Sequence, residues 1–299
     1  MGQCFSCVPC FQASSSSERD RSVTKVALKL PHGLKGMEYD AYKKRFVGCH
    51  IQEWLARLYR DATWTNWVTY NDQNHLGLSK KGHCKGIVAW NETRVSWLCH
   101  SVPHFPREFN GTTLSDIEPS EHLYGQSFHY YECDRTPDLV RSIFHQLYTM
   151  DACPILQRYT EGRTWDSERV TFKKEGAFTT LALGETMFHL SKSPAGEIDV
   201  YSQFLVVHFP TEWKVETWIR GHLITIPCPL VHDIDTLCYE SQTYQESQDH
   251  SKWAVSDKEW YWVGDLNRMT SQFHRGGGGF VGTDTGIANA FRNLIQRLK

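Results

Sequence analysis

Histidine and lysine recur as H-x-K at two places, His83 with Lys85 in "GHCKGIVAW" and His250 with Lys252 in "DHSKWAVS". Each copy leads an apolar run that reads as a β-strand, where residues i and i+2 point to one side. Each pair therefore delivers an imidazole and an ammonium to one spot. Two such spots facing each other would form a site for a phosphodiester. A neutral imidazole can attack phosphorus to give a phosphohistidine. A protonated one opposite can hand its proton to the leaving oxygen and later deprotonate water. The lysines would stabilise the non-bridging oxygens. This chemistry calls for no metal and no cofactor, and the chain shows neither clustered carboxylates nor a His-Glu metal helix. One neutral and one charged histidine predict a bell-shaped pH profile with its optimum at or below about 6.5. A single H-x-K carries little information; two copies, each ahead of an apolar strand, carry more.

The elements around the motifs read as two similar halves. After a polar leader over 1–22, "TKVALKLP" begins the first half as a strand. "IQEWLARLYR" has helical spacing at Ile51, Trp54, Leu55 and Leu58. "TNWVTYND", "KGIVAW" and "RVSWLCHSVP" read as strands, the last two joined by a tight turn at "NET". A helix over "PDLVRSIFHQLYTM" closes the half. In the second half "AFTTLALG", "YSQFLVVHF", "KVETWIRG", "SKWAVS" and "EWYWVGD" are predicted strands. "GIANAFRNLIQRL" is a predicted terminal helix with Ile287, Phe291, Leu294 and Leu298 in register. The pattern predicts an α/β pair, 23–150 and 151–299, meeting face to face.

The bulk properties set limits. With 299 residues, 40% hydrophobic, 11 Trp, 13 Tyr and 15 Phe, the chain can bury a substantial core. A formal charge of −2 supplies no global attraction to polyanions, so any nucleic-acid contact must come from a few placed cations. No run of eighteen apolar residues exists to span a membrane as a helix. The leader "MGQCFSCVPCFQASSSSERDR" lacks a secretory n-region but fits M-G-x-x-x-[ST], with Gly2 as the acyl acceptor and Cys4, Cys7 and Cys10 open to palmitate. Two acyl chains hold a bilayer firmly, so membrane attachment is one reading and an inert Ser-rich leader the other. Seven further cysteines show no regular disulfide spacing, and sequons at Asn91 and Asn110 are near chance frequency, which leaves the compartment open.

Longer stretches carry a resemblance to the deoxyribonuclease II family, a branch of the phospholipase D-like fold. They are "KLP" (29–31), "YNDQ" (70–73), "GHCKGIVAW", "LCHSVPHFP" (98–106), "YGQSF" (124–128), "DHSKWAVS" and "VGDLNRMTSQFHRGGG" (263–278). The resemblance implies two phospholipase D-like halves, each a mixed β-sheet sandwiched by helices, in a pseudo-twofold arrangement with the site between them. It implies a metal-independent acid endonuclease that cuts DNA and leaves 3′-phosphate ends. His83, Lys85, His250 and Lys252 match its catalytic motifs, and His100 its "HSVP" histidine. "VGDLN" occupies the place where phospholipase D-like enzymes put a Gly and an Asn after their H-x-K, so Asp265 and Asn267 become candidates to orient imidazole or phosphate. By analogy His83 attacks and His250 is the general acid/base; the residues leave the reverse open.

The chain departs from the family in three places. His104 replaces an asparagine, and Ala254 and Val281 replace cysteines together, as if one disulfide had been dispensed with, which suits a reducing compartment. The leader replaces a signal peptide, so both an endolysosomal and a cytoplasmic membrane-anchored protein are compatible readings. "HRGGGGF" (274–280) is a phosphate cradle beside Arg275 or a flexible turn. Asn71, with Tyr70 and Asp72, lines the groove or ends a strand. Trp253, Trp260 and Trp262 stack on bases or, more simply, fill the core. Cys84 points away from His83 and reads as a buried filler. Two rivals stand beside the nuclease: a catalytically silent nucleic-acid-binding homologue and a phosphodiesterase acting on phospholipids. The oligomeric state is not legible.

Overall fold

Two β-sheets carry the chain, seen in a computed structural model that describes residues 22–60, 63–74, 77–78, 80–136, 138–160, 177–219 and 228–299. Gly2 and Cys4 lie outside the described residues. The first half supplies β1 (Val23–Lys29), β2 (Lys35–Asp40), β3 (Arg45–His50), β4 (Asn66–Asn71), a small ribbon of β5 (Gln73–Asn74) and β6 (Gly77–Leu78), β7 (Lys85–Trp90), β8 (Arg94–His100) and β9 (Gln126–Asp134), and β10 (Pro154–Arg158), from beyond residue 150, pairs with β4 at the edge of their sheet. All but the ribbon form one sheet in the order β10-β4-β7-β8-β9-β1-β2-β3. The second half supplies β11 (Phe178–Ala182), β12 (Met187–Lys192), β13 (Trp213–Glu216), β14 (Val231–Tyr239), β15 (Gln242–Gln245), β16 (Trp253–Ser256), β17 (Trp260–Gly264), β18 (Gly277–Thr283) and β19 (Ile295–Leu298). Their order is β11-β12-β18-β17-β16-β13-β14-β15, with β19 on β14. The β13–β14 pair is parallel. The protein is thus α/β, mostly sheet, with few helices.

One strand plan occurs twice. The run β4-β7-β8-β9-β1-β2 is matched by β13-β16-β17-β18-β12-β11. Starting from Lys85 and Lys252, the pairing registers bring Cys99 level with Val263, His129 with Phe280, and Lys29 with Lys192.

Alternation along the strands creates the layers. Val88, Trp90, Trp97 and Cys99 of the first sheet face Trp253, Val255, Tyr261, Val263 and Phe280 of the second in one shared core. Ile87, Ala89 and Leu98 point outward beneath the helix Ile51–Tyr59. Ala254, Trp262 and Val281 point outward beneath residues 200–205. The helices Leu139–Thr149 and Thr285–Arg292 contribute Ile143, Phe144, Leu147, Ile287, Ala288 and Phe291 to the shared core. No described helix is long and apolar enough to cross a membrane.

Four expectations need correction. "YSQFLVVHF" is helical over 201–208, not a strand. Asp199 Oδ1 accepts from Tyr201 N and its Oδ2 from the Ser202 hydroxyl, and Val200, Tyr201, Phe204 and Leu205 bury one face. A short apolar run leaves periodicity ambiguous between helix and strand. The terminal helix stops at Arg292; the last residues pair with β14 as β19, and Leu298 is 37% exposed. "HRGGGGF" is neither nest nor flexible turn, because Gly277–Gly279 lie in central strand β18 between β12 and β17. Lastly, Ala254 and Val281 flank Trp262 on opposite sides of β17. Two strand spacings separate them by about 10 Å, beyond the Cα reach of a disulfide. Their replacement removes no bridge between those two positions on this backbone.

Candidate active site

Each H-x-K histidine stands just ahead of its strand and is tied across the seam to the other half. His83 N donates to the carbonyl of Gly276 at 2.8 Å, and His250 N donates to that of Gly125 at 2.9 Å. These bonds are counterparts: Gly276 precedes β18 and Gly125 precedes β9. Lys252 N also crosses, donating to Ser127 Oγ at 3.0 Å. Both tethers depend on glycine. A Cβ on Gly276 would fall on the Met150 carbonyl oxygen, and one on Gly125 onto the Asp249 carboxylate.

Two buried lysines hold the loops that carry these glycines. Lys29 Nζ donates to the carbonyls of Leu30, Gly33 and His122 at 2.9–3.0 Å. Its counterpart Lys192 donates to Phe273 at 2.7 Å and Arg275 at 2.5 Å. Both lysines stand two residues before a proline, in "KLP" and in "SKSP".

Around His83 the environment is ionic. Its Nδ1 lies 2.6 Å from the Asp265 carbonyl oxygen. A carbonyl can only accept, so Nδ1 carries the hydrogen and Nε2 keeps its lone pair. Lys85 Nζ donates to Asp72 Oδ1 at 2.5 Å with both side chains buried, and Arg275 Nη2 donates to Asp72 Oδ2 at 2.8 Å. Burial opposes the charge on Asp72, but Lys85, His83 and Arg275 outweigh it and hold the carboxyl well below its ordinary range. Burial, then the charge of Lys85, pushes His83 down to about 3.

Around His250 the environment is aromatic. Tyr124 stacks on its ring at 4.0 Å and 10°, and Trp218 covers it at 3.8 Å and 48°. Lys252 Nζ donates to the His250 carbonyl. Burial, then Lys85, lowers Lys252 to about 7. Burial raises Asp265 to about 8, although its Oδ1 accepts from Gly278 N at 2.8 Å, and raises Asp249 to about 6.

The remaining predicted residues support loops. His100 is fully buried, its Nδ1 accepts from Val102 N at 3.2 Å, and burial followed by Lys85 pushes it down to about 3. Asn71 is fully buried and gives both amide hydrogens to the carbonyls of Val102 and Phe105 at 3.1 and 3.0 Å. It braces the "SVPHFP" loop instead of lining a groove. His104 in that loop has φ +58° and donates its N–H to the Gln73 carbonyl. Asparagine and histidine are both enriched at such left-handed positions, so the departure at 104 has a backbone explanation. Asn267 is buried, and its Oδ1 has no hydrogen-bond partner among the described residues. Trp253 and Trp262 are fully buried core, and Cys84 is buried between the sheets. The described residues hold no group of three His, Cys, Asp or Glu able to share a metal ion. Asp72 as an ion-pair hub, Tyr124 and Trp218 were the residues sequence reasoning missed. "YGQSF" was in view for Tyr124, but only its place in the family pattern marked it.

A family model for deoxyribonuclease II matches residues 45–299. Deoxyribonuclease-2 of Caenorhabditis elegans is 29% identical over 248 residues, covering 75% of this chain and 62% of the relative. Deoxyribonuclease-2-beta of Homo sapiens is 27% identical over 276 residues, 84% and 75% respectively. Plancitoxin-1 of Acanthaster planci is 27% identical over 256 residues, 76% and 69%. The chain thus spans less than two thirds of the length of the worm relative.

Proposed function

The chain belongs to the deoxyribonuclease II family, and from that premise we propose that it is an endonuclease hydrolysing DNA phosphodiester bonds without a metal ion, through a phosphohistidine, leaving 3′-phosphate ends. The observation that carries the reading is the reciprocal pair of bonds from His83 N to Gly276 O and His250 N to Gly125 O, which holds both motifs on one seam. The repeated strand order and register support two phospholipase D-like halves related by an approximate twofold.

In the proposed reaction His83 Nε2 attacks phosphorus and the bond to O5′ breaks. His250 gives its proton to that oxygen, and the phosphoryl stays on the 3′ side, now bonded to His83. His250 then takes a proton from water, whose oxygen attacks phosphorus and breaks the P–N bond. Neutral His83 and a 3′-phosphate result. Lys85 and Lys252 hold the non-bridging oxygens.

The charges favour acid conditions. Lys252 reaches its full charge below about 7, while Asp265 and Asp249 lose theirs below about 8 and 6. Acidification therefore makes the site more positive and better suited to a phosphate backbone. His83 stays neutral, and so nucleophilic, down to about 3. The expected optimum lies between these limits.

Supercoiled plasmid incubated with the protein in EDTA at about pH 5 tests the proposal. Nicking is expected, falling by at least about 10²-fold in His83→Ala and His250→Ala. Salt-sensitive binding without nicking would assign a silent binding module, and phosphatidyl hydrolysis without nicking a lipid enzyme; either result overturns the reading.

A further inference from the structure

The two H-x-K motifs share backbone positions but not neighbours. Since Gly276 and Gly125 are counterparts, so are the residues before them, Arg275 and Tyr124. Asp72 follows Asn71, which pairs with Lys85; Trp218 occupies the corresponding place after Thr217, one residue past the Glu216–Trp253 pair. In the first frame this couple is an ion pair, Arg275 to Asp72 at 2.8 Å. In the second it is an aromatic couple, Tyr124 and Trp218 with centroids 6.0 Å apart, and both rings lie against His250.

We propose that Tyr124 and Trp218 are positioning residues that hold His250, Tyr124 stacked on one ring face and Trp218 tilted against the ring beside it, and stabilise its protonated form. In naming the step served, protonation of the leaving oxygen, the inference rests on the nuclease reading above. The faces of tyrosine and tryptophan are the negative ends of their quadrupoles and attract a cation laid over them. An imidazolium against both rings is favoured over neutral imidazole, and the stack on Tyr124 fixes its plane, which keeps its edge nitrogens aimed in one direction. Asp249 and Lys252 lie on its own segment, Glu121 ahead of Tyr124 and Glu216 two residues before Trp218; Asp265 from the same half and Lys85 and Asp72 from across the seam act on Lys252.

The arrangement also divides labour between the motifs. Burial and the charges of Lys85, Lys252 and Arg275 disfavour protonation of His83, while Asp72 favours it. The aromatic couple favours protonation of His250.

The test is an NMR pH titration of full-length protein carrying ¹³C/¹⁵N-labelled histidine, with His250 assigned by the signal lost in His250→Gln. Tyr124→Leu and Trp218→Leu are each expected to lower the His250 midpoint by about 0.5–1 pH unit. Tyr124→Phe, which keeps the ring, should return it to the wild-type value, and Trp218→Phe should fall in between and serves if the leucine variants fail to fold. In plasmid assays the alkaline limb of kcat should move down by the same shift while KM holds. An unchanged midpoint in the folded variants overturns the inference. A shifted midpoint in a protein that nicks no DNA would support the clamp and refute the nuclease reading, so the two can fail separately.

Discussion

Asp72 sits between Lys85 and Arg275, with its side chain 2% exposed, and it is the only carboxylate that Lys85 pairs with among the described ion pairs. Removing one partner from a buried pair leaves the other charge uncompensated, at a cost of about 3–5 kcal/mol. Asp72→Asn is therefore expected to destabilise by about 3 kcal/mol in urea denaturation at pH 6 and to reduce nicking by releasing Lys85. The pH sign follows from the depressed carboxyl of Asp72. Its contribution is present above the unfolded value of about 4 and fades as pH falls through the lower folded value. The gap between wild type and variant should accordingly be full at pH 6 and shrink below pH 4; a constant gap would contradict the ion-pair role.

The glycine junctions before β9 and β18 decide where the histidines stand. Gly276→Ala would push its new Cβ onto the Met150 carbonyl, and backbone cannot turn aside as a side chain can. The expected cost is about 1–3 kcal/mol of stability, with a disproportionate loss of nicking because the His83 tether is displaced. Gly48→Ala is the matched control, since its Cβ would meet only the Tyr239 hydroxyl at 3.7 Å, an ordinary contact. Equal effects of the two substitutions on kcat would refute the positional role. Some of this scale was readable in advance. The helix Ile51–Tyr59 followed from its apolar repeat, and strands β4, β7, β8, β16 and β17 from short, largely apolar runs that the structure buries on both faces. Strand β18 was missed, because four glycines carry no hydrophobic pattern, and the close approach that requires them comes from neighbouring strands.

Across the whole molecule, buried histidines oppose the acid preference proposed for the site. His129 lies between the sheets, stacked on Phe280 at 4.3 Å and 14°, and burial pushes it down to about 3. The unfolded chain binds this proton near 6.5 and the native state does not, so stability falls on acidification between those values, at up to about 1.4 kcal/mol per pH unit. His83, His100 and His189 act in the same direction, and the raised Asp249 and Asp265 act against them. His129→Phe is expected to flatten the fall in stability from pH 6.5 to pH 4, measured by urea denaturation at each pH; an unaltered slope would refute burial as its cause.

The sequence by itself determined the chemistry on offer: two imidazole-ammonium couples, each leading an apolar strand, and a motif order specific enough to mark the family. Residue type and local periodicity suffice for that, since both are properties of short segments. Only the tertiary structure decided that Asn71 and His100 brace a loop, that Asp72 ties Lys85 to Arg275, and that His250 stands against Tyr124 and Trp218 while His83 stands among charges. Those differences arise from contacts between segments far apart in the chain, and one segment's pattern carries no record of the surface that will pack against it.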